Sequence, residues 1–363
     1  MNSDHRHRSA GARTGRRRIV VAGAVLACLG LVGYLVTSGN GHRAPAGAAA
    51  GRASSSAATA PTASFPAAPS LASSASAAST TSASGSATSG PCASPAACGF
   101  PSAADTGPRV QALTAHSGDL EIRENGEVIN GWNLQGSLDV YANDVTVVDS
   151  RIDSASWWAV NLRPGYTGLR VLHSELTGRP GAGPDNGGED YGVSNMGDGS
   201  VEVGWDDVSV FVNALSLGHG NIHDDYVHDL HPFINRSGGY AHVDAIISDG
   251  DDHIGLRIAH NTLLNPVPVD QGPTAAIGLL PNTGPISDTT VVDNWLAGGA
   301  YALYGGGAGA TGVVVTGNVF STQYHSGCGI YGPVAYWNTG GSGNQWSDNR
   351  YSGDGRAIPE PAG

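Results

Sequence analysis

Three features of the 363-residue sequence predict an all-β fold, a right-handed parallel β-helix, for residues 106–355. Apolar residues alternate or cluster in short runs, and Gly, Asn and Asp bound those runs. One short pattern of apolar and polar residues recurs through the region, which shows no helical period. Strand-length apolar runs that recur with turn residues between them are typical of a β-solenoid.

The recurring pattern is a run of Val, Ile or Leu, then a polar residue that stands two positions before another apolar residue. The pattern ends at Leu134, Ile152, Leu176, Val208, Val227, Leu263, Leu296, Phe320 and Tyr351. Successive ends are 18 to 36 residues apart, so the shorter spacings match one turn of a coil and the longer ones require inserted loops. One turn cannot bury its own apolar face, whereas stacked turns share a long core.

The polar residue of the pattern is usually Asn, Asp or Ser. We expect equivalent residues of successive turns to stack into a ladder that satisfies backbone groups. The coil is predicted to be right-handed because parallel crossovers almost always have that hand. A β-propeller is the alternative, but its blades need about 40 residues and four strands each, which fits the short spacings poorly.

The N-terminal part of the chain does not have the composition of a folded domain. Residues 1–18 form a basic tail, and residues 19–36 form an uncharged apolar run that is predicted to be a transmembrane helix or signal anchor. The arginines before this run place the tail in the cytoplasm and the β-domain outside the cell. Residues 37–105, rich in Ala, Ser, Thr and Pro, offer little to bury and are predicted to be a disordered stalk. The alternative is a cleaved signal peptide and a secreted protein.

Four cysteines fit an exported protein. Cys28 lies inside the apolar run. Cys92 and Cys98 lie close together where the stalk meets the domain and could close a small disulfide loop. Cys328 has no obvious partner.

Charge divides the chain sharply. Residues 1–105 hold 8 Arg and 2 Asp, a net charge of +6, while residues 106–363 hold 10 Arg and 29 Asp or Glu, a net charge of −19. An acidic domain repels polyphosphate, which argues against nucleic acid as a partner. It also repels a polyuronate unless a cation such as Ca²⁺ lies between them.

Three motifs carry a resemblance to known proteins. GFPSAADTGP at residues 99–108 is followed by one rung that contains GEVINGWNL and another that contains NDVTVVDSRI. HVDAII at residues 242–247 matches an H-x-D-G-I-Q rung, with Ala245 in place of Gly and Ile247 in place of Gln. These motifs resemble a group of exported bacterial right-handed β-helix proteins, pectate-lyase-like in shape. The resemblance covers about residues 99–350 and implies the fold, but shape does not fix chemistry.

The HVDAII segment supplies the main candidate catalytic pair, His242 and Asp244. Alternate residues of a strand share a face, and an unpaired charge in an apolar core is costly, so both side chains are expected to face outward. The preceding segment HDDYVH adds His223, Asp225 and His228, which stacked turns would bring onto the same outer face. Side chains of these types can act as acids, bases or metal ligands. The residues expected to face the core are Val243, Ala245 and Ile247.

Two classes of function fit these residues. The first is an enzyme that acts on extracellular polysaccharide. It would be either a lyase, in which Ca²⁺ holds an anionic polysaccharide, or a hydrolase, in which paired carboxylates flank a neutral polysaccharide. The second is a non-catalytic surface module that binds glycan. Aromatic side chains are the usual platforms for sugar rings, and the candidates are Trp157, Trp158, Tyr301 and Tyr304.

Overall fold

The structure, a computed structural model, describes residues 91–250 and 255–362. The predicted basic tail, the predicted membrane segment and residues 37–90 of the predicted stalk lie outside these residues. In the part of the chain that is described, no helix is long and apolar enough to span a membrane. The predicted anchor therefore stays a prediction.

Short β-strands make up nearly all of the regular structure in the described ranges, together with two 3-10 helices, Ala96–Cys98 and Val269–Gln271. The strands are β1 (Thr114–Ser117), β2 (Leu120–Ile122), β3 (Val128–Asn130), β4 (Trp132–Gln135), β5 (Leu138–Val140), β6 (Thr146–Val148), β7 (Arg151–Ser154), β8 (Trp158–Leu162), β9 (Leu169–Leu172), β10 (Glu175–Gly178), β11 (Tyr191–Asn195), β12 (Val201–Gly204), β13 (Asp207–Ser209), β14 (Asn213–Ser216), β15 (Gly220–His223), β16 (Tyr226–His228), β17 (Val243–Ser248), β18 (Leu256–Ala259), β19 (Thr262–Asn265), β20 (Pro273–Leu279), β21 (Thr289–Val292), β22 (Trp295–Gly298), β23 (Tyr301–Gly305), β24 (Val314–Thr316), β25 (Val319–Ser321), β26 (Gly332–Ala335), β27 (Gln345–Ser347) and β28 (Arg350–Tyr351).

The strands form three parallel sheets in which each strand pairs with the strands three places before and after it. Sheet A runs from β1 through β4 and β7 to β28, sheet B from β2 through β5 and β8 to β26, and sheet C from β3 through β6 and β9 to β27. One strand from each sheet makes one turn of the coil, so the chain is a parallel β-helix. This confirms the predicted all-β parallel architecture and rules out the propeller, whose blades are antiparallel. The right hand of the coil stays a prediction.

The repeat found in the sequence corresponds to sheet A. Every apolar residue that ends the pattern pairs in register with its counterpart in the next turn, from Leu134 with Ile152 to Phe320 with Tyr351. All of these residues except Tyr351 are buried in the shared core. The long spacings are loops, because the register is kept across them.

The polar residue of each pattern forms an internal ladder at the turn between sheets C and A. The backbone N–H of each ladder residue but the last donates to the side-chain oxygen of the ladder residue one turn further along. The ladder residues are Ser150, Ser174, Asp206, Asp225, Asn261, Asn294, Asn318 and Asn349, all buried. The predicted ladder is confirmed, and it satisfies backbone donors that would otherwise be unpaired inside the coil.

Strand β17 departs from simple alternation. Val243 and Ala245 belong to the apolar core, as predicted. Ile246 also belongs to the core and Ile247 does not, so the expected position of Ile247 is wrong. The pairing of β17 with β20 contains a register irregularity, and such irregularities re-aim side chains locally.

The segment before β1 packs on the outside of the coil. Cys92 and Cys98 form the predicted disulfide, and Cys328 is a buried free thiol. Phe100 stacks on His260 with ring centroids 5.7 Å apart. The folded part of the chain therefore begins before the predicted boundary at residue 106.

Candidate functional site

Four tyrosines gather on the outside of sheet B, near the C-terminal end of the coil. Tyr301 and Tyr304 lie in β23, while Tyr331 and Tyr336 flank β26. The ring centroids are 5.6 Å apart for Tyr301 and Tyr304, 6.0 Å for Tyr301 and Tyr331, and 5.3 Å for Tyr304 and Tyr336. Tyr331 and Tyr336 are 64% and 63% exposed. We call this group the tyrosine cluster; it extends the predicted aromatic pair Tyr301 and Tyr304.

A surface depression of about 300 Å³ lies beside the tyrosine cluster. Tyr304 and Tyr331 form part of its wall, and His242 and Thr274 line it from the segments that enter β17 and β20. Among the described residues, no Asp, Glu or Arg side chain lines it. Two residues that were predicted for separate roles, His242 and Tyr304, are thus brought together here.

Asp244 lies beneath this surface and is fully buried. It points away from the core, because its strand neighbours Val243 and Ala245 point into the core. A Cβ placed at Gly278 would lie 2.8 Å from Asp244 Oδ1, so the missing side chain of Gly278 provides room for the carboxyl. The Ala275 backbone N–H and the Thr274 hydroxyl donate to the carboxyl, which by itself lowers its pKa. Burial, helped by the charge of Asp249, raises the pKa of Asp244 well above its usual range.

His242 is exposed just before β17, whereas Asp244 is buried within the strand. The outward direction predicted for both residues agrees with the structure. His242 is at the surface and Asp244 is covered, so the two are not exposed together, and their catalytic role stays a prediction. A carboxyl without access to solvent cannot exchange protons freely with a substrate at that surface.

His223 ends strand β15 in sheet C, so it does not share a face with His242 and Asp244. Its Nδ1 lies 2.8 Å from Asp224 Oδ2 and its Nε2 lies 3.3 Å from Glu202 Oε1. The His223 and Trp205 rings pack edge to face, with their centroids 4.6 Å apart. Burial lowers the pKa of His223, but the hydrogen bonds to these carboxylates outweigh burial and the net pKa is raised. The residue is held inside an ion-pair network.

Asp225 is a ladder residue and not a surface group. It is fully buried, and its Oδ1 accepts a hydrogen bond of 2.8 Å from the Asp206 N–H. The prediction that it lies on the outer face is wrong, because the turn between sheets C and A points it into the coil.

His228 ends β16 in sheet A. Its Nε2 lies 2.8 Å from Asp207 Oδ1 and its Nδ1 lies 2.7 Å from Asp229 Oδ2. Its ring stacks on Tyr226 at 4.3 Å. The five candidate catalytic residues therefore occupy three sheets and a turn, and the predicted convergence on one face is wrong.

Trp158 begins β8 in sheet B, toward the other end of the coil, and Trp157 directly precedes it. The Arg163 guanidinium lies 4.8 Å from the Trp158 ring centroid, and the Arg236 guanidinium lies 5.9 Å from the Trp157 ring centroid. Both rings are partly exposed. They share the sheet of the tyrosine cluster but do not contact it.

Two adjacent carboxyl groups escaped the sequence analysis, Glu189 and Asp190. Both oxygens of Glu189 lie 2.9 Å from the Arg179 N–H, which donates to them. Burial raises the pKa of Glu189 to about 7, and burial together with the charge of Asp185 raises the pKa of Asp190 to about 7. The available signal was an acidic pair directly before the apolar strand β11, but the sequence placed it in a loop.

Within residues 91–250 and 255–362, no group of three or more His, Cys, Asp or Glu side chains is placed to hold a metal ion. A role for Ca²⁺ therefore stays a prediction. No family model, no curated protein and no solved structure matches the chain. The fold defines the class, a parallel β-helix, and the function has to be argued from the side chains on its surface.

Proposed function

We propose that this protein binds extracellular glycan on the outer face of sheet B. The observation that carries the proposal is the tyrosine cluster, in which four rings contact one another and two are more than 60% exposed. Exposed aromatic residues in one contiguous group usually mark a binding surface, whereas single exposed aromatics do not.

The chemistry of the cluster suits a sugar. A tyrosine ring offers an apolar face to the C–H groups of a pyranose, and its hydroxyl offers a hydrogen bond at the edge. Burial, first among several causes, raises the pKa of Tyr304 to about 12, so its hydroxyl keeps its proton at neutral pH and can donate. The adjoining depression makes the surface concave, as ligand sites usually are.

The proposal includes the cellular setting. The β-helix would stand outside the cell, either on the predicted stalk behind a membrane anchor or as a secreted protein. The resemblance to exported right-handed, pectate-lyase-like proteins and the acidic domain without lysine support this setting. The partner would be an extracellular polysaccharide, with no role for nucleic acid.

Affinity electrophoresis and calorimetry of the full-length chain against a polysaccharide panel test the proposal. We expect Tyr331→Ala and Tyr336→Ala to weaken binding at least tenfold, because buried aromatic contacts dominate such surfaces. Trp132→Ala is the matched control, since that aromatic residue lies in sheet A and stacks on His116 at 3.8 Å. Equal loss of binding in the control, or none in the tyrosine variants, would overturn the proposal.

A second candidate function is glycan hydrolysis, and the acidic pair Glu189 and Asp190 favours it. Acid and base catalysis at neutral pH needs groups whose pKa lies near 7, and burial gives both carboxyls such a value. Asp190 lies directly before β11, in the same sheet as the tyrosine cluster.

A reducing-end assay on every glycan that binds separates the two functions. Hydrolysis predicts release of new ends by the wild-type chain and loss of that release in Asp190→Asn, with binding unchanged. An absorbance scan for unsaturated uronides covers the lyase alternative. Binding without turnover on any glycan favours the non-catalytic module.

A further inference from the structure

The segment that precedes β1 runs along the outside of the coil, against the direction in which the turns advance. The Cys92 N–H donates to the Ser352 carbonyl oxygen, directly after β28, at 2.7 Å. At the other end of the segment, Arg109 Nη2 lies 2.7 Å from Asp149 Oδ2, in the turn before β7. Seven strand spacings of sheet A separate β28 from β7, or about 34 Å at roughly 4.8 Å per strand. We call residues 91–109 the strap.

The strap covers an apolar patch on the outer face of sheet A. Leu264, Trp295 and Val319 are buried in this patch, apart from the core that the coil encloses. Phe100 of the strap packs among them, with its ring centroid 5.8 Å from that of Trp295. Burial of these side chains favours the docked strap, and lifting the strap exposes them to solvent.

His260 holds the middle of the strap through both of its ring nitrogens. Nδ1 lies 2.6 Å from Asp224 Oδ1, and Nε2 lies 3.0 Å from the Gly99 carbonyl oxygen of the strap. A carboxylate oxygen and a carbonyl oxygen can only accept, so both nitrogens have to donate if both hydrogen bonds are made. Only the protonated imidazolium carries two N–H groups. A neutral ring therefore loses one of the two contacts.

The charged groups that face His260 belong to the coil. Asp224 lies between two histidines, because its Oδ2 lies 2.8 Å from His223 Nδ1. Asp293, in the corresponding turn one coil further along, adds negative charge. The hydrogen bond to Asp224 outweighs burial and raises the pKa of His260.

The far end of the strap is held by groups of another kind. The hydrogen bond from Arg109 lowers the pKa of Asp149, and a guanidinium keeps its charge at every pH near neutrality. Burial lowers the pKa of the neighbouring His173, so that ring is uncharged near neutral pH. Residues 91–104 contain no charged side chain. Titration near neutral pH therefore acts on the hydrogen bonds of the strap at His260.

We propose that the strap is a pH-sensitive clamp, docked on sheet A when His260 is protonated and loosened when His260 is neutral. The contribution of His260 is full below its unfolded pKa of about 6.5 and is lost as the pH rises through its folded pKa. Loosening at Gly99 lifts Phe100 from the apolar patch, while the ion pair of Arg109 still holds the far end. The proposal concerns sheet A and is independent of glycan binding on sheet B.

Hydrogen–deuterium exchange of the full-length chain at pH about 6 and about 8.5, read by mass spectrometry, tests the clamp. Each exchange rate is compared with the intrinsic rate at the same pH, which gives the protection of the backbone amides. Peptides that cover residues 93–104 report on the part held by His260. Peptides that cover residues 105–112 report on the part held by Arg109.

Two variants remove the contact in different ways. His260→Gln replaces the titrating ring by a neutral side chain, and Asp224→Asn removes the carboxylate that favours the protonated ring. Asp224 has a φ of 59°, which Asn adopts readily. His116→Gln is the matched control, since the His116 ring lies in β1 and stacks on Trp132 at 3.8 Å.

In the wild-type chain we expect the protection of residues 93–104 to fall about fivefold from the lower to the higher pH. That is the effect of one partly exposed hydrogen bond to a charged group. His260→Gln and Asp224→Asn should give low protection at both pH values, and His116→Gln should match the wild type. Residues 105–112 should keep their protection. Melting temperatures show whether each variant is folded.

Three results would overturn the proposal. One is equal protection of residues 93–104 at both pH values in the wild-type chain. Another is a pH dependence that survives in His260→Gln. The third is protection of the strap as strong as that of β19, because the strap would then open only when the coil unfolds.

Discussion

Replacing the ladder residue Asp225 by Asn should stabilise the protein. In the later turns of the ladder each Asn side chain also donates. Asn261 Nδ2 lies 2.9 Å from Asn294 Oδ1 and 3.1 Å from the Ile222 carbonyl oxygen. Asp225 accepts through Oδ1, but its Oδ2 is buried without a partner. An amide at this position would restore the two donor contacts that the Asn turns have.

The size of the gain follows from these contacts. A buried unsatisfied polar group costs about 1–3 kcal/mol, and each hydrogen bond regained contributes about 1 kcal/mol. We therefore expect Asp225→Asn to raise the free energy of unfolding by about 2 kcal/mol at pH 7. For a domain of this size that corresponds to a rise in melting temperature of about 4–8 °C.

The gain should depend on pH with a defined sign. Burial and the neighbouring Asp206 raise the pKa of Asp225 well above its unfolded value. The contribution of Asp225 to stability is therefore most favourable below its unfolded pKa of about 3.9 and is lost as the pH rises through its folded pKa. The advantage of Asp225→Asn should be large at pH 7 and small at pH 3.5.

Thermal unfolding followed by circular dichroism at both pH values measures this. Asn261→Asp is the reverse change one turn away and should destabilise the fold at pH 7. Asp348→Asn is the control, since Asp348 is exposed in an equivalent turn with a φ of 55°. An unchanged or lower melting temperature for Asp225→Asn at pH 7 would refute the reasoning.

Three further changes test other parts of the structure. Asp244→Asn should stabilise the fold by about 1–3 kcal/mol at neutral pH, measured by chemical denaturation, because burial disfavours the ionised carboxyl of Asp244. His260→Ala should destabilise it by up to about 1 kcal/mol, since His260 Nδ1 lies 2.6 Å from Asp224 Oδ1. That contact raises the pKa of His260, so its contribution should be full below pH about 6.5 and fade as the pH rises through the folded pKa. Gly220→Ala should cost about 3 kcal/mol or more, because its φ is +128° and a Cβ would collide with the Val201 carbonyl oxygen.

Each of these changes has a contradicting outcome. A lower melting temperature for Asp244→Asn at pH 7 would mean that the ionised carboxyl is favoured where it lies. A pH-independent effect of His260→Ala would show that His260 does not stabilise the fold through its contact with Asp224. Gly126→Asn is the control for Gly220, since Gly126 has a φ of +74° with no atom within 4 Å. Equal losses in both glycine variants would contradict the steric argument.

The fold could be predicted from the sequence because the residues that end the repeated pattern are the residues that pair with one another in sheet A. Each apolar residue from Leu134 to Tyr351 occupies the same place in sheet A, whatever the length of the loop before it. The same pattern already placed Asp225 two positions before Val227, which is the position of Asn261 before Leu263. That spacing was sufficient to identify Asp225 as a ladder residue.

The site was harder to predict because sequence distance does not show where a coil turns. His223 and His228 are five positions apart, yet a two-residue turn at Asp224 and Asp225 puts them in different sheets. The burial of Asp244 depends on residues of the following turns, Gly278 and Tyr304, which no local pattern connects to it. The position of the aromatic candidates was easier to predict, since Tyr301 and Tyr304 lie together and form half of the tyrosine cluster.

A crystal structure of the full chain with a bound oligosaccharide would test the central claim most directly. The claim predicts sugar rings against Tyr331 and Tyr336 on the outer face of sheet B. Sugar bound on sheet A or sheet C, with none at the tyrosine cluster, would contradict it.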